Sequence, residues 1–345
     1  MQMDRLLAAL SAAPAPAGFE KAAALVIKSE LPECFEIRTD GLGNLIAFLR
    51  GKSPNAPLLM IDAHMDEIGL IVTGIDDDGF VKFAPIGSYD ARTLPNSEVI
   101  ILSETPVPGI VCCLPPHVQS DSEMEEFLKT EQLAIDIGFD KATASGLVKP
   151  GTFAVSAAKF RPLQNGRYAG KALDNRACVA AVISALKAVK DLELDFDIAF
   201  VASVQEEVGT RGARPAAFGL NPDAAIVLDV TFGASPDTPS GSYFELGKGI
   251  TLCLGPAVDR KLTGTLFALA GKLGISCHPE VYGRDTGTNA TPIQVSNAGI
   301  PVAVISVPLR YMHTPCEVVD FTDLSNAALL LAEFIKNTKG GDLRA

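Results

Sequence analysis

Four apolar runs constrain this chain more than any other feature: "APLLMIDAHMD" from Ala56, "FDIAFVASVQ" from Phe196, "AAIVLDVT" from Ala224 and "PVAVISVPL" from Pro301. Runs without polar alternation are strands buried on both faces, as in parallel sheets covered by helices on each side. Each run ends in, or is closely followed by, carboxylates or a histidine, the place where strands of α/β sheets carry function. Helical segments lie between and after them: "NRACVAAVISALKAVKDL", "LTGTLFALAGKLG" and "LSNAALLLAEFIKN". The expected class is therefore α/β.

Between Thr73 and Gln164 the texture changes. Short alternating strands such as "GIDDDGFVKFAPIG", "NSEVIILS", "TPVPGIVCC" and "PGTFAVS" are punctuated by Gly, Pro and Asp. They predict a β-rich insertion, broken by an acidic helix-like stretch, "DSEMEEFLKTEQ". The domain reading is a discontinuous catalytic unit, 1–72 with 165–345, and an inserted unit, 73–164. Upstream, "MQMDRLLAALSAAPAPAGFEKAAALVIK" is interrupted too early for a signal peptide. It predicts a short helix, a Pro-rich turn and a second helix over 20–31. "FEIRTDGLGNLIAFLRG" predicts two strands around an Asp-Gly turn.

At 345 residues the chain has room for two domains. A net charge of −12 argues against nucleic acid as a partner. No segment reaches the length of a membrane span. The seven cysteines are odd in number and lack CxxC spacing, which points to reduced thiols and a cytoplasmic protein.

The chemistry is carried by five phrases. In "DAHMDEIG", His64 and Asp66 lie two apart at a strand end, on one face. Asp174 in "GKALDNRA" opens a helix, where an Asp is ordinarily a cap. Its two oxygens would also suit a bridge between two cations about 3.5–4 Å apart. Glu206 and Glu207 in "QEEVGTRGA" point to different sides, so one can ligate while the other acts as a base. Asp229 in "VLDVT" ends an apolar strand, where an unmatched carboxylate is costly. His313 in "RYMHTPCE" occupies the same topological position. Taken singly each has an ordinary structural reading; together they supply two histidines and several carboxylates, the donors of a two-cation site.

These phrases, their order and the insertion closely resemble the TET-type metallo-aminopeptidases, relatives of glutamyl and deblocking aminopeptidases often misannotated as endoglucanases. The resemblance covers essentially the whole chain, including "DIGFDKATASGLVKPGT" and "PLRYMHTPCEVVD". It implies a mixed sheet sandwiched by helices, the zinc-peptidase-like catalytic fold, and an inserted domain that builds dimers and tetrahedral dodecamers. It implies that Asp174 bridges two divalent ions, zinc or cobalt, with manganese also suited to such donors. His64 and Asp229 would complete one site, Glu207 and His313 the other. Glu206 would be the general base, Asp66 would orient His64, and the Asp174–Asn175 peptide would be cis. The implied activity removes N-terminal residues from short peptides.

Two positions depart from the pattern. Asn289 in "GTNA" stands where an Asp is usual, and Cys178 stands where Gly is common. If position 289 shapes the substrate pocket, a charge is lost there. Cys178 and Cys316 are read as structural thiols, with oxidative sensitivity of the site as the alternative. His117 and His278 are read as non-ligands, and Arg260, Arg284 and Arg310 as surface charge or receivers of a substrate carboxylate. The rival functions are a related deacylase or carboxypeptidase, a metal-free glycosidase, and an inactive oligomeric scaffold.

Overall fold

The structure is a computed structural model that describes residues 3–120, 128–236, 238–239 and 243–343. Of the acidic stretch read as helix-like, residues 121–127 lie outside the described residues, and Thr130–Gln132 forms a single 3-10 turn.

In chain order the strands are β1 (Glu36–Thr39), β2 (Leu45–Leu49), β3 (Leu58–His64), β4 (Gly69–Ile75), β5 (Val81–Ile86) and β6 (Glu98–Ile101). They continue with β7 (Val107–Cys112), β8 (Ala134–Asp136), β9 (Phe153–Ser156), β10 (Arg161–Pro162), β11 (Arg167–Gly170) and β12 (Asp197–Ser203). The last are β13 (Ala224–Phe232), β14 (Ile250–Leu254), β15 (Cys277–Val281), β16 (Val302–Arg310) and β17 (Glu317–Asp320).

Eleven strands form one mixed sheet whose main order is β1-β2-β12-β3-β13-β16-β17-β11-β10, with β14 between β15 and β16 off that path. Its centre, β12-β3-β13-β16, is parallel throughout. These four are the apolar runs of the sequence, and β3, β12 and β13 are buried along almost their whole length.

Alternation divides their side chains between two cores. Leu59, Ile61 and Ala63, with Phe200 and Ile226, pack against the helices Leu173–Val189 and Phe321–Asn337. Met60, Val201 and Val227 face the other way, against the helices Ala213–Leu220 and Ala290–Gln294. Neighbouring side chains of such a strand fill opposite apolar layers, which accounts for the scarcity of charges in these runs; the buried Asp62 within β3 is an exception. Asp62, His64 and Asp229 share the parity of this second face.

The strands β4-β5-β8-β7-β6-β9 close into a small barrel with a core of its own around Val72, Val81, Ile101 and Ile135. The barrel strands run from Gly69 to Ser156, and the main sheet resumes at Arg161. Residue 73 therefore falls within β4, and the 164/165 division within the β10–β11 turn. Among the described residues, no helix is long and apolar enough to cross a membrane.

A buried ionic cluster ties the N-terminal segment to the chain after β3 and to the start of the helix Leu173–Val189. Glu67 accepts from Lys171 Nζ at 2.7 Å, from Arg176 Nη2 at 3.0 Å and from the Ala15 amide at 2.9 Å. Arg176 is fully buried and also donates to the carbonyls of Leu10, Ala13, Ala15 and Met65. Every donor of this arginine finds an acceptor, the condition under which a buried cation is tolerated.

Candidate metal centre

At the carboxyl ends of the parallel strands a cleft of about 640 Å³ opens, lined by His64, Asp174, Glu206, Glu207, Asp229 and His313 among others. The strands deliver the groups directly. β3 ends on His64, β12 leads to Glu206 and Glu207, Asp229 lies near the end of β13, and His313 follows β16.

Asp174 sits at the middle. Its Oδ1 lies 3.2 Å from His64 Nε2, and its Oδ2 lies 3.5 Å from His313 Nε2. His64 Nε2 is also 3.8 Å from Asp229 Oδ1, and His313 Nε2 is 3.4 Å from Glu207 Oε2. The two oxygens of one carboxylate thus face two separate groups of donors. The helix Leu173–Val189 makes this possible by not being helical at its start. Asp174 and Asn175 leave helical dihedrals and their peptide is cis. The Asp174 side chain points to the two histidines and does not cap the helix.

Other buried carboxylates hold these groups in place. Asp66, fully buried, lies 3.4 Å from His64 Nδ1 and accepts from the amides of Glu206 (3.0 Å) and Glu207 (3.1 Å). It therefore orients three site residues, not one. Glu317 accepts from the Asp174 amide at 3.0 Å and the His313 amide at 3.3 Å. The sequence reasoning missed Glu317; only its place in "HTPCE" beside a candidate ligand could have flagged it.

The electrostatics are those of a site with too many carboxylates. Burial, and then the Asp174 charge, push Glu207 well above the ordinary carboxylate range. Burial does the same to Asp229 and Glu317, with Asp174 adding to both. Burial raises Glu206 to about 7, His64 lowering it and Asp174, Asp66 and Asp62 adding to the rise. Against burial, hydrogen bonds from His313 and His64 hold Asp174 well below its usual value. Burial also works against a charged His64, but Asp174 and Asp66 outweigh it and raise its pKa. Buried Glu207 Oε1 meets no hydrogen-bond donor among the described residues. Oxygen atoms crowded in this way, with imidazoles interleaved, fit divalent cations, whose charge relieves the repulsion. His64, Asp174 and Glu207 alone bring three ligand atoms within 4.8 Å of one another.

The two departures acquire physical reasons. Asn289 does not line the cleft. It is buried and donates through Nδ2 to Asp62 Oδ1 (2.7 Å) and Ser203 Oγ (2.9 Å). An aspartate there would set a second carboxylate against Asp62. Cys178 is fully buried and donates to the Asp229 carbonyl at 3.1 Å, and burial raises its pKa far above the reactive range. Burial also raises the half-buried Cys316 thiol. His117 is exposed on the barrel, and His278 contacts the Lys248 carbonyl; neither lines the cleft. Nor does Arg260, Arg284 or Arg310.

Comparison with known proteins agrees with this geometry. Residues 43–330 match the profile of the M42 glutamyl aminopeptidase family. The chain is 36% identical over 312 residues to a lysyl aminopeptidase of Pyrococcus furiosus, covering 89% of this chain and 88% of that one. A TET aminopeptidase from a marine-sediment archaeon of the Thaumarchaeota superposes with a TM-score of 0.94 at 29% identity, over 99% of this chain and 98% of that one. The TET1 peptidase of Pyrococcus horikoshii, which assembles into a tetrahedron or a large octahedral shell, superposes with a TM-score of 0.85 at 31% identity, covering 97% and 99%. Sequence, fold and cleft converge on one assignment: the chain belongs to the M42 glutamyl aminopeptidase family and is a metal-dependent aminopeptidase.

Proposed function

We propose that this aminopeptidase removes N-terminal residues from short peptides at a centre of two divalent cations that share Asp174. His64 and Asp229 would hold one ion, Glu207 and His313 the other. The observation that carries the reading is the division of Asp174: Oδ1 toward His64, Oδ2 toward His313. Imidazole and carboxylate donors suit zinc, cobalt or manganese. Such ions supply an acidified water and polarise the scissile carbonyl.

The protein's own part is positioning and proton transfer. Glu206 lines the cleft beside the ligands without belonging to either proposed ligand set. It takes the proton of the attacking water and returns it to the departing amine. Asp66 links this base to His64: it accepts from the Glu206 amide and lies 3.4 Å from the imidazole Nδ1. The cleft's remaining carboxylate oxygens receive the free α-amine of the peptide, which makes the activity an exopeptidase one.

The barrel supports a further part of the proposal, self-association. Ile110, Leu114, Val118 and Phe139 are 43–54% exposed on or beside it, a set of apolar side chains suited to contact between copies of the chain. We infer dimers through this unit, assembling further into a tetrahedral dodecamer. All seven cysteines are unpaired, which fits a cytoplasmic location.

Glu206→Gln tests the assignment. Activity on aminoacyl-anilides should fall about 10²–10⁴-fold while bound metal is retained. Undiminished turnover would remove Glu206 from the mechanism.

A further inference from the structure

One wall of the cleft carries a pattern independent of the metal centre. Outside the proposed ligands and Glu206, Asp285 is the single charged residue lining it among the described residues, and no lysine or arginine does so. Behind this wall lies Glu280 on β15, 7% exposed. Its Oε1 accepts from Thr231 Oγ1 and from Tyr282 Oη at 2.7 Å, and its Oε2 accepts from Thr251 Oγ1 at 2.6 Å. Thr231 and Tyr282 both line the cleft.

A hydroxyl has one proton to donate and two lone pairs. Thr231 and Tyr282 direct their protons to Glu280, so lone pairs are what they present to the cleft. Burial, reinforced by Glu280, pushes the Tyr282 phenol above its ordinary value, which keeps it protonated and donating. Thr231 follows Asp229 by two residues on the same face of β13, about 7 Å further along the strand. A substrate residue whose amine and carbonyl sit at the metal centre would reach this wall with a long side chain.

We propose that the wall of Thr231, Tyr282 and Glu280, with Asp285, selects the N-terminal side chain, and that the enzyme prefers peptides beginning with lysine or arginine to those beginning with an acidic residue. The inference rests on the aminopeptidase reading of the same cleft. Ammonium and guanidinium groups are donors only, so they match oxygen lone pairs backed by a carboxylate. A glutamate side chain would meet those lone pairs with its own. An aliphatic side chain would leave them without a donor.

The test is kcat/KM of the metal-loaded full chain for the p-nitroanilides of Lys, Arg, Leu and Glu, repeated with Glu280→Gln and Tyr282→Phe. Lys and Arg should exceed Leu by about tenfold or more, and Glu by a larger factor. Each variant should lower the Lys-to-Leu ratio several-fold. Equal or better hydrolysis of the Leu or Glu compound would overturn the inference and leave the aminopeptidase reading standing. An unchanged ratio in both variants would also overturn it. No hydrolysis of any of the four would remove the reading on which it rests.

Discussion

Asp62 and Asn289 explain each other. Asp62 is fully buried two residues before His64, and its Oδ1 depends on donors from Asn289 and Ser203. Burial raises its pKa to about 7, with Asn289 and Ser203 opposing the rise. Asn289→Asp should destabilise the protein by about 1–3 kcal/mol, because it removes a donor and adds a like charge. Adding Asp62→Asn should restore most of the loss; a thermal-melt double-mutant cycle with no coupling would contradict the pairing. Glu317 acts on the two proposed ligands whose amides it accepts. Glu317→Gln presents an amide NH₂ to one of those N–H groups, and metal affinity measured by titration calorimetry should fall about 10–100-fold.

Much of the candidate site was legible at this scale. His64, Asp174, Glu207, Asp229 and His313 stand in distinctive phrases beside strand ends, and the structure gathers them around one cleft. Glu317, Asp62 and Arg176 were not legible. Apart from the Glu317–His313 contact, four positions apart, their partners lie 109–227 positions away, and neither periodicity nor local motif reports such contacts.

Among the elements, the loop after β12 shows what the glycines of "EEVGTRGA" are for. Gly209 has φ +112°, a left-handed conformation that favours glycine. A Cβ on Gly212 would lie 2.3 Å from the Val204 carbonyl oxygen and 2.4 Å from Asn44 Oδ1, both unable to give way freely. Gly212→Ala should therefore cost about 1–3 kcal/mol and displace Glu206 and Glu207, lowering both melting temperature and turnover. A variant as stable and active as the parent would contradict this packing.

The Glu67 cluster gives a pH-dependent counterpart. Burial alone would raise Glu67, but Lys171 and Arg176 outweigh it and hold its pKa below the ordinary 4.5. Its stabilisation is therefore complete above pH 4.5 and lost as pH falls through the folded value. Glu67→Gln leaves Arg176 buried without its counter-charge and removes the carboxylate that favours a charged Lys171, which burial already pulls down to about 8, a loss of about 3–5 kcal/mol. Denaturant melts at neutral and acid pH check both statements: the gap between parent and variant should narrow in acid.

The elements themselves were unevenly legible. The four central strands announced themselves because both faces are buried. β15, "CHPEV", did not: it contains Pro279, which argues against a strand unless the strand lies at an edge. It pairs with β14 alone. The helix Ala213–Leu220 was hidden by the glycine-rich loop that precedes it.

At the scale of the whole molecule, groups from five distant segments converge at the carboxyl ends of the central strands, and the barrel carries the exposed apolar side chains Ile110, Leu114, Val118 and Phe139 on or beside it. If the barrel mediates assembly, the full chain should elute as a large homo-oligomer by light scattering, and Ile110→Glu should shift it to smaller species. A monomer in the parent would contradict that role. The central claim concerns the cleft itself, two cations straddling Asp174, and it is tested most directly by titrating metal-depleted protein with zinc or cobalt while following hydrolysis. The account predicts two ions bound per chain in the parent, activity that needs divalent metal, and loss of both ions in Asp174→Ala. Full activity without metal, or a single ion that Asp174→Ala does not disturb, would contradict it.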